Sequence, residues 1–257
     1  MSQVDNPDYR QIRAEFLTSV RSFHERHDYS LDWILLAESL GVRVGTGPSN
    51  QHTSIKGLSV ISYDLGAPLN RQLFTGLHEV CHELFSGSDE CFRALTEDKY
   101  GLDVARTLEE TLCDEAASIL LVPDHVLEEA LKENGYSPQA IFHLSARAGS
   151  LAACLMRVLL SQNAEAWGLI LQRDGTIEFS CTNTRFPFRK SYRVEAEHKI
   201  HEAWHGAVES RTPLPFASGS RAVRKPMRAA SNGRRVVALF AAAFPPKFDP
   251  AQIPLFA

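Results

Sequence analysis

Two histidines four residues apart, with a glutamate directly after the first, constrain the fold of this chain more than any other feature. They occur as His78-Glu79-Val80-Cys81-His82. Side chains at i and i+4 share one face of a helix. Both imidazoles can then aim one nitrogen at a single metal ion. Glu79, one residue on, is placed to act on an attacking water rather than to bind the metal. The segment around the motif supports a helix, because Leu73, Leu77, Val80 and Leu84 form one apolar stripe. Any fold of the chain must present this helix face to a third ligand.

A catalytic zinc site needs that third protein ligand and keeps a fourth position open. The extended three-histidine pattern would place glycine at 85 and histidine at 88, where this chain has Phe85 and Ser88. The remaining source is a carboxylate from a later helix. Leu108-Glu-Glu-Thr-Leu-Cys-Asp-Glu115 supplies Glu110, with Asp114 one turn further along the same face. A carboxylate at Asp114 suits the outer role of orienting a ligand imidazole. Spacing alone leaves Glu109 and Glu115 as rivals, Glu109 lying about 100° around the helix from Glu110. A plain solvent-exposed acid is the competing reading for all three.

Composition bounds the rest. The 257 residues carry 27 basic and 31 acidic side chains, a net charge of −4, and are 44% hydrophobic. These values fit an ordinary globular protein and exclude a disordered or collagen-like chain. The mild acidic excess disfavours a dedicated nucleic-acid binder. Met1–Phe16 has no apolar core of the signal-peptide kind. The longest apolar stretches, Ala116–Val122 and Val236–Phe244, are too short to span a bilayer. Cys81, Cys91, Cys113, Cys154 and Cys181 are odd in number and scattered, which reads as reduced thiols. A cytoplasmic location with no membrane attachment is expected.

Patterning predicts helices over 8–28, over 31–40 with Ser30 as N-cap and Gly41 at the end, over 70–85, and over 103–121 stopping at Pro123. Strands are expected at 42–44 and 58–63, with a loop over 45–52. Residues 124–163 read as helical, with breaks at 135–138 and at Gly149. From 166 onward the pattern turns strand-like: 167–171, an Asp174-Gly175 turn, then 176–181, with a further buried strand over 236–244. A boundary falls near 163.

Arg71–Glu83 resembles the histidine-bearing signature of the ImmA/IrrE family of zinc metallopeptidases. Leu108–Pro123 resembles that family's second signature, a glutamate followed by small residues and an apolar end closed by proline. Glu110-Thr-Leu-Cys-Asp114 is most similar to the family's radiation-response members. The resemblance implies an α+β fold. Residues 1–125 would form a zincin-like helical metallopeptidase domain with a small sheet. Residues 126–163 would be a helix-turn-helix-like region, and 164–257 a GAF-like sensor domain.

The resemblance also implies zinc ligands His78, His82 and Glu110, Glu79 as general base, and zinc as cofactor with manganese as a substitute. It implies proteolysis of a helix-turn-helix (XRE-type) repressor under stress such as DNA damage, with no stable nucleic-acid partner. The chain departs from the family pattern at Cys81, where glycine is common, and at Asp114, where asparagine is usual. The likeness is weaker toward the C-terminus, where Arg211–Arg228 matches a segment of the GAF-like domain. Alternatives are a protease paired with a toxin–antitoxin or phage repressor, and a non-proteolytic regulator that binds DNA or a partner protein. The last could lose Glu79 without harm.

Other features carry weaker readings. His125, Tyr136, His143 and Tyr192 are candidate oxyanion donors. Only Arg147 and Arg157 are basic in 137–160, which favours a buttressing helical hairpin over a DNA reader. Arg221, Arg224, Lys225, Arg228, Arg234 and Arg235 form a basic cluster, either an acidic-ligand site or a solvated loop. Cys81 and Cys113 are either a redox pair or small packing residues.

Overall fold

Apolar residues at helical spacing fold Pro7–Arg26 into α1, which buries Tyr9, Ile12, Phe16, Leu17, Val20 and Phe23. The computed structural model describes residues 7–48, 51–55, 58–88, 101–162, 165–182, 193–215 and 224–244. They fall into two units, one ending at Pro123 and the other starting at Asp124.

In the first unit, α2 (Trp33–Ser39) starts two residues later than its expected cap. Asp32, not Ser30, accepts the free N–H groups of Ile34 and Leu35, while Ser30 Oγ accepts the N–H of Asp32. Three strands follow: β1 (Arg43–Thr46), β2 (Gln51–Ile55) and β3 (Leu58–Tyr63). β3 is central, parallel to β1 and antiparallel to β2, with His52 opposite Ile61. The polar segment expected as a loop over 45–52 thus contributes to both edge strands. β2 has little strand propensity of its own and is held by pairing with β3.

Helix α3 (Leu69–Gly87) packs on this sheet, on α2 and on α4 (Leu102–Leu121). The Trp33 ring lies against Gly76 so closely that a Cβ there would come within 2.3 Å of it. α1 packs on α4, and Phe16 meets Phe85 of α3 edge-on at 5.2 Å. One ion pair joins α1 to α4: Arg13 Nε donates to Glu115 Oε2 at 2.6 Å.

In the second unit, α5 (Asp124–Asn134), α6 (Pro138–Ala148) and α7 (Leu151–Leu160) share one core with a five-stranded antiparallel sheet. Ser137 and Ser150 cap α6 and α7, and Gly149 closes α6 in the left-handed region. The sheet runs β5 (Ile177–Thr182), β4 (Ala166–Leu171), β8 (Val236–Ala241), β7 (Arg224–Ser231), β6 (Val208–Pro213). Central β4 and β8 are buried along their whole length, which explains their unbroken apolar runs. α7 packs on β4 and β5, and Gly168 admits Leu155 and Leu159 where a Cβ would clash at 2.6 Å. On the other face Trp167, Leu169, Met227, Ala238 and Phe240 meet Ile200 and Ala203 of the 3₁₀ helix Lys199–Trp204.

Strands β6 and β7 were not expected, because they are polar, basic and contain proline. Pro226 pairs only with Arg211 of β6, since the β7–β8 pairing begins at Met227. Proline is tolerated there because no N–H is needed on the open side. Arg157 of α7 is 2% exposed and pairs with Asp124, so it is spent inside the unit. Most of the described basic cluster is spent likewise. Lys225 reaches Glu165 at 3.1 Å and lies over the Trp167 ring, Arg228 contacts Glu209 at 3.3 Å, and Arg235 pairs with Glu178. Arg221 lies outside the described residues.

The Arg13–Glu115 pair yields a test. Burial pushes the Glu115 pKa up, and Arg13 only partly offsets this. A carboxyl whose folded pKa is raised loses stability as pH climbs from the ordinary carboxylate range to the folded value. Arg13→Ala pushes that pKa higher still. It should destabilise the protein by about 3–5 kcal/mol at neutral pH and by less at pH 5, read from thermal melts. Adding Glu115→Gln should remove the pH dependence. A pH-independent loss in Arg13→Ala alone would refute the account.

Candidate metal centre

α3 brings His78 and His82 to one face, one turn apart, as i and i+4 spacing requires. Across from them α4 runs in the opposite sense. His82 near the end of α3 meets Glu109, whereas His78, one turn earlier, meets Asp114, one turn later on α4. The two Nε2 atoms are 3.0 Å apart. Glu110 Oε2 lies 3.3 Å from His78 Nε2, and Glu110 Oε1 lies 3.6 Å from His82 Nε2. These three residues form the one group of three metal-capable side chains found among the described residues.

The far side of each ring is also occupied. His82 Nδ1 is 3.1 Å from Glu109 Oε1, and His78 Nδ1 is 3.0 Å from Asp114 Oδ1, approached off the line of its N–H. Carboxylates at both Nδ1 atoms favour the tautomer that leaves Nε2 as a lone pair. At 3.0 Å the two Nε2 atoms need either a proton on one of them, which makes the contact a hydrogen bond, or a cation held by both lone pairs. A tetrahedral zinc ion with bonds of about 2.0–2.1 Å sets its ligand atoms about 3.4 Å apart. The Nε2 pair at 3.0 Å, with one Glu110 oxygen 3.3 Å from His78 and the other 3.6 Å from His82, lies on either side of that value. Two imidazole nitrogens and a carboxylate at these spacings suit a divalent metal ion of the zinc kind.

Electrostatics agree. Burial would push the His78 pKa down, but the close Asp114 carboxylate, with the charges of Glu79 and Glu110, carries it above the ordinary value. The site favours positive charge. Glu79 is 8% exposed, and its Oε2 accepts the backbone N–H of His52 at 2.7 Å. The His52 ring in turn sits 2.8 Å from Glu83 Oε2 and lies parallel to the His82 ring, 6.3 Å between centroids.

The structure sorts the rival acids. Glu110 reaches the Nε2 pair, Glu109 touches the outer nitrogen of His82, and Glu115 turns away to Arg13. Three partners were not anticipated: Glu109 in its outer position, His52, and Glu83. For His52 the only available signal was its place in a segment with weak strand character. Cys81 and Cys113 are fully buried, and burial with nearby carboxylates pushes both thiols well up. A protonated buried thiol is a poor nucleophile, so both fit a packing role.

Of the oxyanion candidates, His125, Tyr136 and His143 belong to the second unit. There Tyr136 donates to Ser161 O at 3.3 Å and His143 lies 3.8 Å from Glu133. Tyr192 lies outside the described residues.

No protein-family model matches the chain. Among curated proteins it is 29% identical over 185 residues to the radiation response metalloprotease IrrE of Deinococcus deserti, covering 68% of this chain and 63% of that protein. It is 32% identical over 104 residues to IrrE of Deinococcus radiodurans, covering 40% of this chain and 31% of that protein. The chain thus spans less than two thirds of either relative. Among solved structures, a Mycobacterium tuberculosis transcriptional regulator matches with a TM-score of 0.58 at 15% identity, over 91% of this chain and 80% of that one. This last likeness is one of fold. No helix among the described residues is long and apolar enough to cross a membrane.

The outer carboxylates can be tested directly. Glu109→Ala and Asp114→Ala should each weaken zinc binding about 10–100-fold in competition with a chromogenic chelator. His78→Ala and Glu110→Ala should lower zinc per chain in elemental analysis. Wild-type affinity in both outer variants would show that their contacts do not tune the site.

Proposed function

We propose that the chain is a member of the ImmA/IrrE family and a zinc-dependent endopeptidase of narrow specificity, a reading supported by its similarity to the two IrrE metalloproteases. Its proposed substrate is a helix-turn-helix (XRE-type) transcriptional repressor, cut once to release stress-response genes. The observation that carries this reading is the spacing of His78 Nε2, His82 Nε2 and the Glu110 oxygens, with the buried Glu79 carboxylate on the same helix. The radiation-response role in the relatives' names supports a stress setting.

In this reading His78, His82 and Glu110 hold zinc, and Asp114 and Glu109 orient the two imidazoles. Zinc bound there would lower the pKa of a water to about 7 and polarise a peptide carbonyl. The chain's own contribution is proton handling. Glu79 has one oxygen committed to the His52 amide, which leaves the other to take a proton from the attacking water. The same oxygen returns that proton to the leaving amine. The exposed side of Glu110 leaves this edge of the site open to a polypeptide, its side chain being 55% exposed.

The test is incubation with purified helix-turn-helix (XRE-type) repressors from the organism that encodes this chain. One cleavage is expected, abolished by a chelator. Glu79→Gln should keep its zinc and lose about 10²–10⁴-fold in rate. Wild-type cleavage by that variant would remove Glu79 from the mechanism. Absence of any cleavage by the zinc-loaded wild type would favour the non-proteolytic regulator.

A further inference from the structure

His52 is joined to the helix that carries the metal-binding motif at two points. Its backbone N–H donates to Glu79 Oε2 at 2.7 Å, and its ring Nε2 lies 2.8 Å from Glu83 Oε2. Glu79 and Glu83 are four residues apart, hence on one face of α3. Among the described residues β2 is an edge strand that pairs only with β3, and its His52 amide donates to the helix carboxylate Glu79. The His52 ring is largely buried, 12% exposed, and parallel within 3° to the ring of His82. Strand and helix are therefore pinned together by a side chain at one place and by a backbone amide one helical turn away.

We propose that His52 is a positioning residue for Glu79. The ring, held by Glu83 and stacked beside His82, fixes the edge strand so that the residue 52 amide restrains one oxygen of Glu79. The other oxygen is thereby set in one orientation toward the reacting water. This proposal rests on Glu79 being the general base of the peptidase proposed above. A short carboxylate on a free rotamer would spend much of its time misdirected, and small misplacements of a reacting group are costly to rate. The residue acts through Glu79 and not on the metal, since neither His52 nor Glu83 belongs to the three-residue cluster.

Two kinds of measurement test it. Glu83→Ala releases the ring while leaving residue 52 intact. Amide hydrogen exchange at His52 should then accelerate about tenfold or more in the zinc-loaded protein, with the central strand β3 unchanged. On the repressor used above, His52→Ala and Glu83→Ala should each lower kcat about a hundredfold with KM nearly constant. Zinc per chain and the visible spectrum of the cobalt-substituted protein should match wild type. Glu83→Gln, which still offers the ring a hydrogen-bond partner, should regain much of the kcat lost in Glu83→Ala.

Unchanged exchange at His52 in Glu83→Ala overturns the proposal. So does a loss that falls on KM or on zinc content, or equal defects in Glu83→Gln and Glu83→Ala. The exchange measurement needs no substrate. If the wild-type protein cleaves no repressor, the peptidase reading fails on its own, while exchange still shows whether Glu83 holds the strand.

Discussion

The first unit depends on one contact, the antiparallel packing of α3 against α4. A single helix can place two imidazoles on one face but cannot add a carboxylate at the spacing an ion needs without using its own next turn, where this chain has Phe85 and Ser86. The third donor must come from a neighbour, and the helix pairing supplies it with Glu110 within 3.3–3.6 Å of both nitrogens. That arrangement gathers Glu79, Glu109, Glu110 and Asp114 around two histidines. Such a density of carboxylates is unfavourable without a compensating cation. The raised pKa of His78 expresses the same demand. Metal binding at this cluster would therefore be linked to the ordering of this face.

Helix α4 distributes its acids by rotation. Glu109 and Glu110 differ by one residue step, yet both meet His82, one at Nδ1 and the other at Nε2. Neighbouring helix positions thus address the two nitrogens of one ring. Asp114, one turn beyond Glu110, does for His78 what Glu109 does for His82. Glu115 completes the circuit on the opposite side, where Arg13 ties α1 to the back of α4. The residue that steadies the helix and the residues that serve the site are thus adjacent in sequence and separate in space.

Much of this was legible before the structure. The i and i+4 histidines, the helices around them and the buried strands β4 and β8 follow from local patterns, which sequence displays directly. Glu110 was only one of three acids by spacing; the resemblance to a known second signature distinguished it. Glu109 was one of the rival acids, and its place beside the outer nitrogen of His82 depends on how α4 is rotated against α3. His52 and Glu83 were missed for a related reason. Their meeting spans 31 residues and passes through a strand of weak propensity. β6 and β7 were hidden by polar residues and proline, since their pairing lies in partners and not in composition. The mild net charge of −4 conceals the same point: charge is spent pairwise, as at Arg157–Asp124 and Arg235–Glu178, and sums do not report it.

The weakness of β2 as a strand has its own logic. Gln51-His-Thr-Ser-Ile55 carries no apolar face broad enough to secure it to a core, so its order comes from the β3 ladder and from its two bonds to α3. An edge strand held in this way presents main-chain donors and acceptors beside the metal-binding face. An apolar edge strand would be fixed more firmly but would invite pairing with other chains. A polar one, fastened by His52 at the point where Glu79 sits, offers other chains less apolar surface and is ordered where it meets the helix. The helix therefore positions the strand, the strand restrains the carboxylate, and the geometry of the centre belongs to both elements.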